Sequence, residues 1–319
     1  MLAELEAAPR MAACSHPAAF SGNGFAEKLF LFYGIVMKFQ PECAKIKVRY
    51  VIFNDKENHF MLANYHTHTV RCRHAEGGDR EYIEAAIKGG MKVLGFSDHC
   101  PWIYEDGFVS GTRMLPSQLD DYFTSLERLR QEYKDDITIY IGFEAEYIPE
   151  QVEAQYRLLD QYPVDYMILG QHFTSREPYS AYTGFAWDSE SELKKYVDTV
   201  IEGMETGRYS YVAHPDLFHY TGDEAIYRRH YGRLCSYLKE KNVPVEINML
   251  GHFQHRHYPS ALFLKIAQET GNSAVIGCDA HSPYSLLDTA EQQACRQLAA
   301  EYDLPLVDYL PGLGEKTQK

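Results

Sequence analysis

Met61-Leu62-Ala63-Asn64-Tyr65-His66-Thr67-His68-Thr69 carries a short apolar run into two imidazoles two residues apart, with His74 close behind. If the run is a strand, His66 and His68 share a face and aim at one point, which is how a protein grips a metal ion. The chain repeats this arrangement. Val93-Leu94-Gly95-Phe96-Ser97 runs into Asp98-His99, Ile137 to Phe143 into Glu144-Ala145-Glu146, and Tyr166 to Gln171 into His172. Ser210 to Ala213 ends at His214-Pro215-Asp216, Val243 to Ile247 at Asn248, and Ala274 to Cys278 at Asp279-Ala280-His281.

Between the runs lie segments of helical periodicity. Over Pro116 to Tyr133 the apolar residues Leu119, Tyr122, Phe123, Leu126 and Leu129 recur at three- to four-residue intervals among charged ones. Similar patterns predict helices over Arg80 to Gly89, Pro149 to Gln161, Ser189 to Thr206, Glu224 to Lys241, Pro259 to Thr270 and Leu287 to Tyr302. Strand alternating with helix implies a parallel sheet, because parallel neighbours need a crossover. Polar side chains at the C-terminal ends of so many strands converge only if the sheet closes. The expected fold is therefore α/β, a distorted (β/α)7 barrel with a metal site at the C-terminal face of its strands.

Composition agrees. A chain of 319 residues, 45% hydrophobic, can bury one large core, and residues 61–319 suffice for a barrel domain. The net charge of -14 disfavours a general binder of nucleic-acid backbones. Seven cysteines without a Cys-x-x-Cys pair, and no recognisable secretory signal, point to a reducing cytoplasm. The apolar stretch Leu29 to Met37 is too short to span a membrane. Residues 1–60 combine an Ala-rich start, the polar break Ser21-Gly22-Asn23-Gly24 and a segment without clear periodicity, so they are expected to be a disordered or accessory extension, as an upstream start codon would produce.

His66-x-His68 with His74, Ser97-Asp98-His99, Gly142-Phe143-Glu144, His172, His214-Pro215-Asp216 and Asp279-Ala280-His281, in that order, resemble the polymerase and histidinol phosphatase (PHP) superfamily of trinuclear metal phosphoesterases. The resemblance covers essentially all of residues 61–319. Within the superfamily the chain most resembles the histidinol-phosphate phosphatases, through the insert Pro101 to Pro116 with Arg113-Met114, the run Gly142-Phe143-Glu144-Ala145-Glu146-Tyr147-Ile148-Pro149, the strand end Glu246-Ile247-Asn248, and Tyr258-Pro259-Ser260.

That resemblance implies a ligand set. His66, His68, Glu144 and Asp279 would hold one metal, Glu144 with His172 and His214 a second, and His74, His99 and His281 a third. Glu144, Asp279 and His281 would be the catalytic residues among them. Imidazoles and carboxylates suit divalent Zn, Fe or Mn, and a carboxylate suits a bridge between two cations. Cys72 and Asp79 are alternatives to His74, and the choice of Glu144 over Glu146 rests on the resemblance alone. Asp98 is expected to orient a ligand imidazole, and Asp216 to start a helix or to take part in catalysis.

The implied reaction is hydrolysis of a small phosphorylated substrate, L-histidinol phosphate, to L-histidinol and phosphate, a step of histidine biosynthesis. A metal-bridged hydroxide would be the nucleophile, and an arginine would hold the phosphoryl oxygens. Arg256, in the loop Gly251 to Pro259, together with Arg113 and Arg176, are the candidates, each against the alternative of a solvated surface charge. Glu105, Asp106 or Glu246 would receive the substrate's amine. Rival readings are a related phosphoesterase acting on nucleotides, oligonucleotides or phosphotyrosine, and a metal-binding barrel without catalysis. A metal-dependent amidohydrolase is disfavoured, since no strand ends in the lysine such enzymes use.

Overall fold

Apolar runs form strands, with one exception at Ser210 to Ala213, and the periodic segments form helices in the part that the computed structural model describes, namely residues 61–314 and, ahead of them, the backbone of β1 (Phe30–Phe32) and β2 (Ile35–Met37). Two units divide the chain, Met1–Asn58 and His59–Lys319. In the first, β1 and β2 pair antiparallel with Phe30 opposite Met37. The expected character of the remainder of residues 1–60 lies outside the described residues.

In the second unit β3 (Ala63–Asn64), β4 (Val93–His99), β5 (Thr138–Ala145) and β6 (Tyr166–Leu169) form a parallel sheet in that order, and β7 (Val245–Asn248) pairs parallel with β8 (Ala274–Gly277). Val212 joins the two, bridging Leu169 on one side and Val245 on the other, and Thr67 bridges Ala280 beyond the ends of β3 and β8. The sheet is thus a curled parallel α/β sheet, a half-barrel in its regular ladders. The expected strand at Ser210 to Ala213 is reduced to the bridge at Val212, because the chain turns at once through His214, whose φ of 73° lies in the left-handed region.

The helices are α1 (Asp79–Lys88), α2 (Leu119–Glu132), α3 (Val152–Leu159), α4 (Glu190–Glu205), α5 (Glu224–Glu240), α6 (Met249–Phe253), α7 (Ala261–Thr270) and α8 (Thr289–Glu301). Their starts have local causes: Ser189, Asp223 and Ser260 cap α4, α5 and α7 by accepting from backbone N–H groups of the first turn. Each buries one stripe, in α2 the Leu119, Tyr122, Phe123, Leu126 and Leu129 side chains that set its periodicity. Short α6 occupies part of what the sequence presents as a loop; Asn248 caps it by accepting from Gly251 N–H.

Two apolar clusters follow from the pleat. Leu94, Phe96, Ile139, Ile141 and Phe143 join the helices' cluster, while Val93, Tyr140, Tyr166 and Tyr211 join a second one with Leu310 and Leu313 from the C-terminal segment. That segment is pinned by Tyr65 and Tyr140, whose hydroxyls donate to the carbonyls of Leu313 and Gly314 at 2.6 and 2.8 Å. Counting in twos from Val93 and Tyr140 reaches His99 and Glu144, which the parallel register sets directly opposite each other at the strand ends. No helix among the described residues is long and apolar enough to cross a membrane.

Candidate metal centre

Glu144, 1% exposed, is the hub of the strand-end cluster. Its Oε1 lies 2.9 Å from His214 Nε2 and 3.5 Å from both His66 Nε2 and His172 Nε2. Its Oε2 lies 3.1 Å from His99 Nδ1 and 3.6 Å from His68 Nε2. Asp279 Oδ1 sits 3.1 Å from His68 Nε2, 3.5 Å from His66 Nε2 and 3.4 Å from His281 Nδ1. His281 Nε2 and His74 Nε2 face each other at 2.9 Å. All the expected ligands, His66, His68, His74, His99, Glu144, His172, His214, Asp279 and His281, therefore meet in one place. The two residues that carry the chain round the turn into the site, His214 and Asp279, hold φ of 73° and 49°, a backbone cost that a built site tolerates.

The chemistry of this donor set fits cations. His66 Nε2, His68 Nε2 and both Glu144 oxygens are buried yet make no aligned hydrogen bond, and a buried polar atom without a partner is costly unless something else satisfies it. Imidazole and carboxylate atoms from His66, His68 and Asp279, from His66, Glu144 and His214, and from His68, His99 and His281 gather in sets compact enough to hold an ion. Burial alone would raise the carboxyls of Glu144 and Asp279, but the facing imidazoles hold both well below the usual range. Burial lowers His99 and His74, and takes His281 down to about 3, so these rings are neutral, whereas at His66, His214 and His68 burial is outweighed by the facing carboxylates, which raise the imidazoles, His68 to about 9. Ionised carboxylates and neutral imidazoles are the ligating forms, so cations bound here would displace the protons of the raised rings.

Behind the imidazoles stands a layer of buried carboxylates. Glu246 Oε1 lies 2.8 Å from His66 Nδ1 and accepts from Tyr211 Oη at 3.1 Å, while its Oε2 accepts from Asn248 Nδ2 at 3.0 Å. Glu146 Oε1 lies 3.0 Å from His172 Nδ1. Asp98 Oδ1 is 3.6 Å from His68 Nδ1, and its other oxygen accepts from the Thr69 hydroxyl. Such partners fix the tautomer and aim of an imidazole. Two glycines make room for the carboxylates: a Cβ at Gly170 would overlap the Glu144 carboxylate, and one at Gly277 the Glu246 carboxylate. Glu246 is therefore committed to His66 and does not receive a substrate amine. Glu146, the rival of Glu144, turns to the back of His172.

The cluster opens into a cavity of about 520 Å³ whose lining includes Glu144, Asp279, Arg113 and Arg256. Arg256 donates from Nη1 to Tyr258 Oη at 2.6 Å and from Nε to Gln254 Oε1 at 2.9 Å, neutral partners that leave its charge available. Arg113 is placed differently from the phosphate contact expected of it. It is 3% exposed and engages Glu146 through both Nη atoms and Glu177 through Nε. Arg176 pairs with Asp106 at 2.7 Å, sits against the rings of Tyr104 and Tyr179, and is not among the cavity-lining residues, so it too departs from the expectation.

Other expectations resolve locally. Asp79 is taken by Arg71 through a two-pronged pair and Ser125, so it does not replace His74, whereas the Cys72 thiol remains within reach of His74 and His281. Asp216 accepts from Ser260 N–H at 2.6 Å, locking the start of α7, and burial lifts its carboxyl to about 6. The sequence reading missed Glu146 and Glu246 as supports and Tyr182 as a cavity wall. The repeated Glu-x-Glu and Glu-x-Asn spacing at strand ends, which puts alternate residues on one face, was the available signal for the first two.

A family model described as PHP domain matches residues 64–249. A probable histidinol-phosphatase of Deinococcus radiodurans is 26% identical over 234 residues, covering 70% of this chain and 87% of that protein. A probable histidinol-phosphatase of Schizosaccharomyces pombe is 34% identical over 125 residues, 37% of this chain and 41% of that one. Among solved structures, the histidinol phosphate phosphatase of Lactococcus lactis subsp. lactis, crystallised with zinc, L-histidinol and phosphate, superposes with a TM-score of 0.59 at 20% identity, over 77% of this chain and 95% of that one.

Proposed function

Because this chain belongs to the PHP domain family, we propose that it is a metal-dependent phosphomonoester hydrolase and that its substrate is L-histidinol phosphate, split by water into L-histidinol and inorganic phosphate. The observation that carries the reading is Glu144. Its two buried oxygens face five imidazoles and align with none, as a carboxylate bridging two cations would. His66, His68, Glu144 and Asp279 would hold one cation, Glu144 with His172 and His214 a second, and His74, His99 and His281 a third, each Zn, Fe or Mn. The zinc in the Lactococcus lactis relative supports divalent metals here. We read the curl as a distorted (β/α)7 barrel in which Val212 stands for the strand between Leu169 and Val245 and the Thr67–Ala280 bridge closes the ring.

When bound, the cations would supply Lewis acidity toward the phosphoryl oxygens and toward the attacking water. The chain's own residues do the rest. Glu144 and Asp279, held ionised, fix the charge of the centre, and His281, neutral with its Nδ1 2.9 Å from the Asp279 carbonyl, presents Nε2 beside His74. Arg256 approaches from the loop after α6 with a guanidinium free of carboxylates and takes the phosphoryl oxygens, a charge-assisted contact that strengthens as negative charge builds. Tyr258, donor and acceptor beside it, orients the guanidinium. Water oxygen bonds to phosphorus and gives up a proton, the ester P–O bond breaks, and the leaving alkoxide takes up a proton to become the alcohol, so that the protons balance.

The relatives named for histidinol phosphate carry the choice of substrate. It is tested by a phosphate-release panel on protein loaded separately with Mn, Fe and Zn, comparing L-histidinol phosphate with nucleotides, short oligonucleotides and phosphotyrosine. Preferred turnover of L-histidinol phosphate supports the reading. Preferred turnover of another ester moves the chain to a different branch of the family, and full metal content without release from any ester identifies a non-catalytic barrel.

A further inference from the structure

The cavity holding Glu144 and Arg256 is walled by rings, and its lining offers no carboxylate outside the ligand cluster to pair with an amine. Phe173, Tyr182, Phe185 and Leu250 line it, with Tyr182 edge to face against Phe173 at 6.2 Å and Phe185 at 5.6 Å between ring centres. Phe185 is 63% exposed, so a face of its phenyl ring stands open at the cavity lining. The carboxylates in the lining are Glu144 and Asp279, both faced by imidazoles.

Exposed Glu105 is not among the cavity-lining residues, and Glu146, Glu177, Asp106 and Glu246 are each engaged. Arg113 takes Glu146 and Glu177, Arg176 takes Asp106, and His66 takes Glu246. Among the described residues lining the cavity, then, no carboxylate is left to bind an ammonium group, while Arg256 makes the neighbourhood positive and cations held by the cluster would add to this.

On the phosphatase reading above, we propose that the leaving-group side of this site recognises a planar aromatic ring and not an amine, so that its substrates are phosphomonoesters of alcohols bearing such a ring. Phe185, Tyr182 and Phe173 are the specificity-determining residues. The phosphate lies by Arg256, and the ring of the alcohol packs against the wall that Tyr182 and Phe185 form together, covering the exposed phenyl face. An imidazole qualifies, as does a phenyl ring, and the amino group of L-histidinol phosphate contributes nothing to recognition.

The test compares kcat/KM for L-histidinol phosphate, its analogue lacking the amino group, a phenylalkyl phosphate and an aminoalkyl phosphate without a ring, on the metal-loaded full chain. The analogue without the amine is expected within about threefold of the parent, the phenylalkyl ester to be turned over, and the ringless amine to fall by at least about tenfold. Phe185→Ala is expected to raise KM for the ring-bearing esters about tenfold with little change in kcat, a loss of binding to the ring and not of chemistry. Because Phe185 is exposed, this variant is not expected to disturb folding. A fall of about a hundredfold on removing the amine, with the ringless amine keeping its rate, overturns the inference while leaving the phosphatase reading standing. No turnover of any of the four overturns both.

Discussion

Arg113 meets Glu146 end-on, Nη1 2.7 Å from Oε2 and Nη2 2.6 Å from Oε1, with both side chains buried. Trp102 Nε1 adds a third donor at 3.2 Å. The same Glu146 oxygen that Nη2 contacts lies against His172 Nδ1, so the Pro101 to Pro116 insert reaches the metal centre through one carboxylate.

Arg113→Ala should therefore loosen His172 as well as unbalance a buried charge. Breaking such a pair costs about 3 to 5 kcal/mol, and loss of an outer partner of a ligand lowers metal affinity by about 10- to 100-fold. Glu177→Gln, which removes Arg113's other carboxylate without touching Glu146, should retain the full metal content. Metal analysis after dialysis, alongside thermal unfolding, separates the two; equal metal loss in both variants would mean that Arg113 only anchors the insert.

Arg256 carries a different expectation, because its partners are neutral and it ligates nothing. Arg256→Ala should leave metal content intact and lower kcat/KM by about 10²-fold, the effect of losing a charged donor to the transition state. Arg256→Lys should recover part of that loss, a point charge replacing a fork. Steady-state kinetics with L-histidinol phosphate decides it, and unchanged kinetics in the alanine variant would return Arg256 to the solvent-exposed surface.

His257, outside the proposed ligand set, gives a pH dependence of its own. Burial, then the neighbouring His219 and Arg256, lower its imidazole from 6.5 to about 4, while its Nε2–H donates to the Leu217 carbonyl at 2.7 Å. With the folded pKa depressed, the unfolded chain binds the proton first as the pH falls. The stability His257 contributes is thus present above pH 6.5 and drains as the pH falls toward 4. His257→Gln should flatten that slope. Unfolding temperatures of the metal-free proteins at pH 7.5 and pH 4.5 should differ less in the variant than in the parent chain; equal differences would contradict the assignment.

Much of this was legible in the sequence because metal ligands at strand ends leave a periodic trace. A run such as Val93 to Ser97 ending in Asp98-His99 specifies both a strand and the face its last residue points to, and the register that sets His99 against Glu144 follows from the parallel sheet. Helix ends were equally local, with Ser189, Asp223 and Ser260 announcing α4, α5 and α7. What the sequence could not resolve were pairings between distant residues. Arg113, Arg176 and Arg256 look alike as letters. Their roles separate only when the fold brings Glu146 to the first, Asp106 to the second and no carboxylate to the third. Glu246 likewise reads as a free acid until the curl of the sheet sets it behind His66.

Glu144 is the ligand that the proposed centre shares between cations, and one measurement reaches it: metal content and phosphate release from L-histidinol phosphate, determined together on the parent chain and on Glu144→Gln. The parent should bind about three divalent cations per chain and release phosphate, activity that a chelator removes and added metal restores, whereas an amide, a poor bridge between cations, should leave the variant metal-depleted and inactive. A Glu144→Gln protein with full metal content and parental turnover would contradict the proposed centre.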